Sequence, residues 1–413
     1  MRNSIIITII LTLFFYISLF TQTINDTFEE GLKLKQEKKY NDAIIKFTEV
    51  VKKDKYYYEA WYERAICYEN LNKINEAIND LTQCIQVKKN FAEAYIKRAN
   101  LYIIQNKQQE ALNDLNQVIV LKPDFIDAYE KRAEIYFKIP DKTTNAINDL
   151  IKAANLNTNN ISTYIQLAKY YMDKNKFDDV INYCSKAITL NPNLGMLYYL
   201  RGIAYLSKSE HLQCLKDLST AIEKGYKNEE VYLQRAKVYL EKNLYDNALA
   251  DFSILINQYH SKDYDVYVSR GLCYSMINKS TEAIKDFSKA ITINSNKAKA
   301  YYLRGIEYSK LGKSKEQLAI KDFNKAIELE PTNNEAYVKR AMYYYDKQKY
   351  DQALDDLTRA IKLKETAEAY FYKGAILYEL NKYSEACLYL KKSAQMGYDI
   401  AVKRLKEVCP DSH

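Results

Sequence analysis

Residues 95–115, "YIKRANLYIIQNKQQEALNDL", place small and apolar residues three and four apart, stop at a polar step, then resume the same period. That spacing predicts two amphipathic helices joined by a short turn. The pattern recurs along the chain in units starting near residues 24, 58, 92, 126, 161, 195, 229, 264, 298, 334 and 367. In each predicted first helix an aromatic such as Trp61, Tyr95 or Tyr301 is followed four residues later by Ala65, Ala99 or Gly305, then by Tyr68, Tyr102 or Tyr308. The second helix opens its core face with a small or short residue (Ala77, Cys214, Ala248) and carries a larger apolar one a turn later (Leu81, Leu218, Phe252). Large rings set against small residues allow two antiparallel helices to pack closely, and each pair stacks on the next.

Eleven such units in register resemble the tetratricopeptide repeat family. Its pattern falls in the second unit on Trp61, Arg64, Ala65, Tyr68, Ala77 and Leu81, with Lys89 in the proline column. Pro123, Pro192 and Pro331 close other units, as a residue that cannot continue a helix would. The resemblance covers residues 24–398 and implies an all-α fold, a right-handed superhelical α-solenoid of antiparallel helix pairs. Residues 399–413 read as a charged capping helix and tail.

One departure from the family is systematic. Where its pattern has leucine, this chain has Arg64, Arg98, Arg132, Arg201, Arg235, Arg270, Arg304 and Arg340. Each of these units also has an aspartate on its second helix: Asp80, Asp114, Asp149, Asp217, Asp251, Asp286, Asp322 and Asp356. The remaining units change both positions: Glu30 with Lys46, Leu167 with Tyr183, and Lys373 with Tyr389. Linked change predicts that each Arg–Asp pair is an ion pair inside its own hairpin, partly buried and bidentate. A ladder of arginines for an anion is the functional alternative, but each positive charge is already matched.

The segment "MRNSIIITIILTLFFYISLF" lies outside the repeat. One arginine before an uncharged apolar stretch, residues 4–20, reads as an export signal over residues 1–23 or an uncleaved anchor. Either places the body beyond a membrane, in a periplasm, a secretory lumen or at a cell surface. Seven cysteines exclude a complete intramolecular set of disulfides, and they show no metal-binding spacing. Cys84, Cys184 and Cys214 stand in apolar columns and read as core fillers. With 61 basic and 53 acidic residues the chain has a formal charge of +8. The charges are mixed throughout, with no basic stripe, so no nucleic-acid partner is expected.

No phosphate-binding glycine loop, nucleophile elbow or zinc helix motif occurs. No catalysis, cofactor or metal is expected, and the function falls to a surface. In the family, first helices line a concave groove that takes peptides or partner elements. By register the groove candidates are Tyr62, Ile103, Phe137, Met172, Tyr199, Ile203, Leu206, Leu233, Leu240, Val268, Leu272, Met276, Tyr302, Ile306, Met342, Tyr345 and Phe371. The carboxylate clamp of the family's chaperone-tail receptors is missing: Asn100 is present, but Ile96 stands where its lysine would be. The expected function is a non-catalytic scaffold binding a protein or peptide, exported or membrane-tethered, with membrane contact only through the N-terminal segment if that is uncleaved. The alternative is a chaperone-like holder or assembly factor for envelope or secretory clients.

Overall fold

The structure, a computed structural model, describes residues 21–409. The expected signal or anchor over 4–20 lies outside these residues, as do the last four residues of the expected tail. Among the described residues all regular structure is helical, and no helix is long and apolar enough to cross a membrane. The chain divides into two compact units after Pro192. The first holds five antiparallel helix pairs: 21–36 with Tyr40–Lys53, Tyr58–Asn70 with Ile74–Val87, Ala92–Ile104 with Gln108–Leu121, Ile126–Tyr136 with Thr143–Asn155, and Ile161–Asp173 with Phe177–Leu190. The second holds six: Gly195–Ser207 with His211–Glu223, Glu229–Glu241 with Tyr245–Asn257, Tyr264–Met276 with Ser280–Ile293, Ala298–Lys310 with Glu316–Leu329, Asn334–Asp346 with Tyr350–Leu363, and Ala367–Glu379 with Tyr383–Gln395. A single helix, Asp399–Val408, follows. Within each unit every helix packs on its neighbours in sequence, giving a solenoid of stacked hairpins.

The turn inside most hairpins depends on one residue in the left-handed region, and that residue is commonly asparagine. Asn72, Asn106, Asn175, Asn243, Asn278 and Asn381 have φ between 56° and 63°. Asparagine tolerates this conformation better than other residues with a side chain. The following amide then closes the helix end: Lys73 N donates to Tyr68 O at 2.9 Å, and Lys107 N to Tyr102 O at 2.8 Å. The ninth hairpin uses Gly312 instead, next to an inserted 3-10 turn, Lys313–Lys315.

Helix approach within a hairpin is set by paired volumes. The small residue of the first helix meets the large apolar residue of the second, and phenylalanine there calls mostly for glycine. A Cβ added at Gly271 would lie 2.6 Å from Phe287 Cε1, and one at Gly305 2.7 Å from Phe323 Cε1. Leucine in the second column goes mostly with alanine in the first, as in Ala65 with Leu81 and Ala341 with Leu357. Gly271→Ala is therefore expected to destabilise the eighth hairpin by about 1–3 kcal/mol through overpacking. Adding Phe287→Leu should recover much of that loss. Chemical denaturation of the two variants checks it, and equal stability of G271A and the parent would refute the steric account.

Candidate partner-binding surface

The arginine column sits at the seam between the two helices of each hairpin. In all eight Arg–Asp hairpins Nε and Nη2 donate to the two carboxylate oxygens of the hairpin's own aspartate, at 2.6–2.9 Å. The aspartates are 1–5% exposed. The remaining nitrogen, Nη1, crosses to the preceding hairpin in most of them: Arg64 to Thr48 at 2.9 Å, Arg98 to Thr82 at 3.0 Å, Arg132 to Asn116 at 2.6 Å, Arg304 to Ser288 at 2.9 Å. In most of these hairpins the guanidinium also lies over the aromatic rings one turn before and after it. Arg98 is 5.8 Å from the ring centres of both Tyr95 and Tyr102, and Arg304 is 5.8 Å from both Tyr301 and Tyr308. Each arginine thus closes its own hairpin, most also tie it to the one before, and the guanidinium fills space beside the aromatic columns. With the charge matched and the nitrogens engaged, nothing in the column is left to form an anion ladder.

The three exceptional hairpins obey the same geometry. In the first, Lys46 Nζ pairs with Glu30 at 2.9 Å, the reverse polarity. In the fifth, Leu167 and Tyr183 are both buried. The Tyr183 ring there stacks on Tyr171 at 5.6 Å and lies 6.4 Å from Tyr164, where other hairpins hold a guanidinium. In the eleventh, Lys373 lies 4.7 Å from the Tyr389 ring and keeps only the bond to the preceding hairpin, Thr358 Oγ1 at 3.0 Å.

The groove candidates lie on the first helices, or just past the end of one in the case of Phe137. Phe137 and Met276 are exposed, Met276 by 56%. Tyr62, Ile103, Tyr199, Ile203, Leu206, Leu233, Leu240, Leu272, Tyr302, Met342 and Tyr345 are half-buried and pack on the core with one side. Met172, Ile306 and Phe371 are also half-buried. Val268 departs from the expectation. It is 2% exposed and belongs to the core of the second unit. Its column holds Tyr199, Leu233 and Tyr302 in other hairpins, whose longer side chains reach past the packing while valine does not. Burial pushes the phenols of Tyr62 and Tyr199 up to about 12, so these rings stay neutral.

One polar cluster interrupts the second unit's core. Glu307, with its side chain 1% exposed, stands in a column that holds Leu101, Val238 and Ile376 elsewhere. Its Oε1 accepts from Ser275 Oγ at 2.5 Å and Lys310 Nζ at 2.7 Å, and its Oε2 from Ser280 Oγ at 2.6 Å. Burial pushes this carboxyl up, but the bonds from Lys310, Ser275 and Ser280 together hold it below the usual value. Its stabilising contribution is then complete above the unfolded value of about 4.3 and is lost as pH falls through the lower folded value. Hydrogen exchange in residues 264–329 should rise below about pH 4 in the parent, and lose that acid-dependent component in E307L.

The sequence left the cysteine pairing open. Cys387 and Cys409 form a disulfide. Cys84, Cys184 and Cys214 are buried as expected, and Cys67 and Cys273 with them. Among the described residues no cluster of histidine, cysteine and carboxylate side chains could hold a metal ion.

Family profiles described as tetratricopeptide or TPR repeat match residues 58–91, 99–139, 161–194, 264–297, 298–333 and 338–397, together more than half of the chain. No curated protein matches the sequence. Among solved structures, a tetratricopeptide repeat protein from Parabacteroides merdae is 23% identical over 60% of this chain and 97% of its own, with a TM-score of 0.44. YrrB, described as a TPR protein with an unusual peptide-binding site, is 21% identical over 45% of this chain and 95% of its own, at 0.42. Yeast Tom70 is 16% identical over 94% of this chain and 99% of its own, at 0.36. With eleven hairpins in register and these profiles along its length, the chain belongs to the tetratricopeptide repeat family, whose members are protein-interaction scaffolds.

Proposed function

We propose that the protein is a non-catalytic scaffold, exported or membrane-tethered, that holds an extended protein segment along the first helices of its second unit. The observation that carries this reading is the row of incompletely buried apolar side chains there, with Met276 the most open at 56% exposure beside half-buried Leu272, Ile306 and Met342. Monomeric surfaces rarely leave such a row without a use. The Cys387–Cys409 disulfide supports the export part, because such bonds persist in oxidising compartments.

Affinity purification of the tagged full chain from its native membrane fraction, followed by mass spectrometry, tests both parts. One stoichiometric protein partner is expected. A folded chain that brings down no stoichiometric partner, yet suppresses the aggregation of unfolded clients, would favour the holder reading instead. The intact mass from the same sample reports whether residues 1–23 remain attached.

A further inference from the structure

The last described helix, Asp399–Val408, is ten residues long, below the roughly 12–15 at which an isolated helix becomes stable in water. In register it is the first helix of one more hairpin. Ala401 takes the buried position that Ala369 holds in the eleventh hairpin, but Lys406 stands in the column where other first helices carry a small residue. A second helix cannot pack closely on lysine there. The helix therefore depends on what it touches behind it. The Tyr398 ring at its start lies 5.2 Å from Phe371, one of the lining candidates, and the Arg404 guanidinium lies 5.1 Å from the Tyr378 ring. At its far end Cys409 is bonded to Cys387.

The position of Cys387 is unlike that of the other cysteines. Its column, one residue after the small residue of the second helix, is isoleucine or leucine in all ten preceding hairpins, Ile320 and Leu354 among them. In the eleventh hairpin alone a covalent bond replaces that aliphatic side chain. The five remaining thiols are buried, and burial pushes Cys67 up to about 11 and Cys84, Cys214 and Cys273 up to about 12. Buried thiols of this kind are poor nucleophiles at neutral pH. The Cys387–Cys409 bond is thus the preferred site of thiol chemistry in the folded chain.

We infer that the Cys387–Cys409 disulfide is a redox latch: closed, it holds helix 399–408 on the eleventh hairpin with Tyr398, at its start, against Phe371, and its reduction by a dithiol releases the helix and frees that ring. One thiolate of the dithiol attacks Cys387 Sγ, the half-buried sulfur, and Cys409 leaves as a thiolate that takes up a proton. The second thiol then expels Cys387 as the other free thiol. The dithiol is oxidised to its cyclic disulfide by the two electrons that the protein cystine gains. The latch does not depend on the scaffold reading, because it concerns the protein's own helix.

Hydrogen exchange of the full chain, made in an oxidising compartment, tests it with and without dithiothreitol, followed by iodoacetamide under native conditions. Alkylation of residues 387 and 409 alone is expected, with amide protection in 399–408 falling by about tenfold or more and the other hairpins unchanged. C387S should show the same loss without dithiothreitol. Unchanged protection after both thiols are alkylated would overturn the latch. So would a bond that resists reduction until the hairpins unfold, or free thiols at both positions in the chain as purified.

Discussion

Asp251→Ala is expected to destabilise the seventh hairpin, Glu229–Glu241 with Tyr245–Asn257, by about 3–5 kcal/mol, the cost of leaving a buried charge without its partner. Asp251 is 1% exposed and accepts from Arg235 Nε at 2.8 Å and Nη2 at 2.7 Å. Without it Arg235 keeps only Ser219 Oγ at 3.0 Å and the rings of Tyr232 and Tyr239. Removing both charges should be far milder. Taking two charges out of water costs about what their pairing returns, so such a buried pair specifies the seam more than it stabilises it. The chain itself supplies the neutral version in Leu167 and Tyr183. Arg235→Leu combined with Asp251→Tyr is therefore expected to recover most of the loss. Stacked repeats need not unfold in one step, so the readout is the opening free energy of residues 229–257 by hydrogen exchange. A loss below about 1 kcal/mol in D251A, the size of an exposed pair, would refute the buried pairing.

The repeat and its ion pairs were legible in the sequence for one physical reason. A close helix contact and a buried charge each force a partner at fixed spacing, and eleven copies make that spacing visible. The exceptions at Glu30, Leu167 and Lys373 then revealed who pairs with whom. The same signal held more than the pairing. The polar column that takes the third guanidinium nitrogen (Thr48, Thr82, Asn116) becomes Ile151 in the fourth hairpin, directly before the hairpin whose arginine is Leu167. The tyrosine columns are the rings flanking that guanidinium. The turn asparagines leave a column too, though each stands among the asparagines and lysines of an exposed surface. The disulfide left one mark, a cysteine in an aliphatic column, and one mark does not identify its partner. How far each lining side chain reaches beyond the packing, as at Val268, depends on distances between hairpins, which a column alone does not contain.

Met276→Glu is expected to weaken partner binding by about 30-fold or more, the loss of one central hot spot of about 2 kcal/mol. Adding Leu233→Glu and Met342→Glu should abolish it. Met276 is the informative single site because its side chain already stands 56% in water, so a carboxylate there adds little strain to the fold. Leu233 packs with its buried side on the cluster around Phe252, and Met342 on the one around Leu357, so charge at either also costs stability. Leu212 provides the control. It is 80% exposed on a second helix, His211–Glu223, and offers water at least as much apolar surface as Met276. If exposed apolar area alone drove association, L212E and M276E would weaken binding alike. If the first-helix face is the site, only M276E does, with hydrogen exchange confirming that both variants keep their hairpins. Binding that survives M276E and fails in L212E would move the site to the second helices.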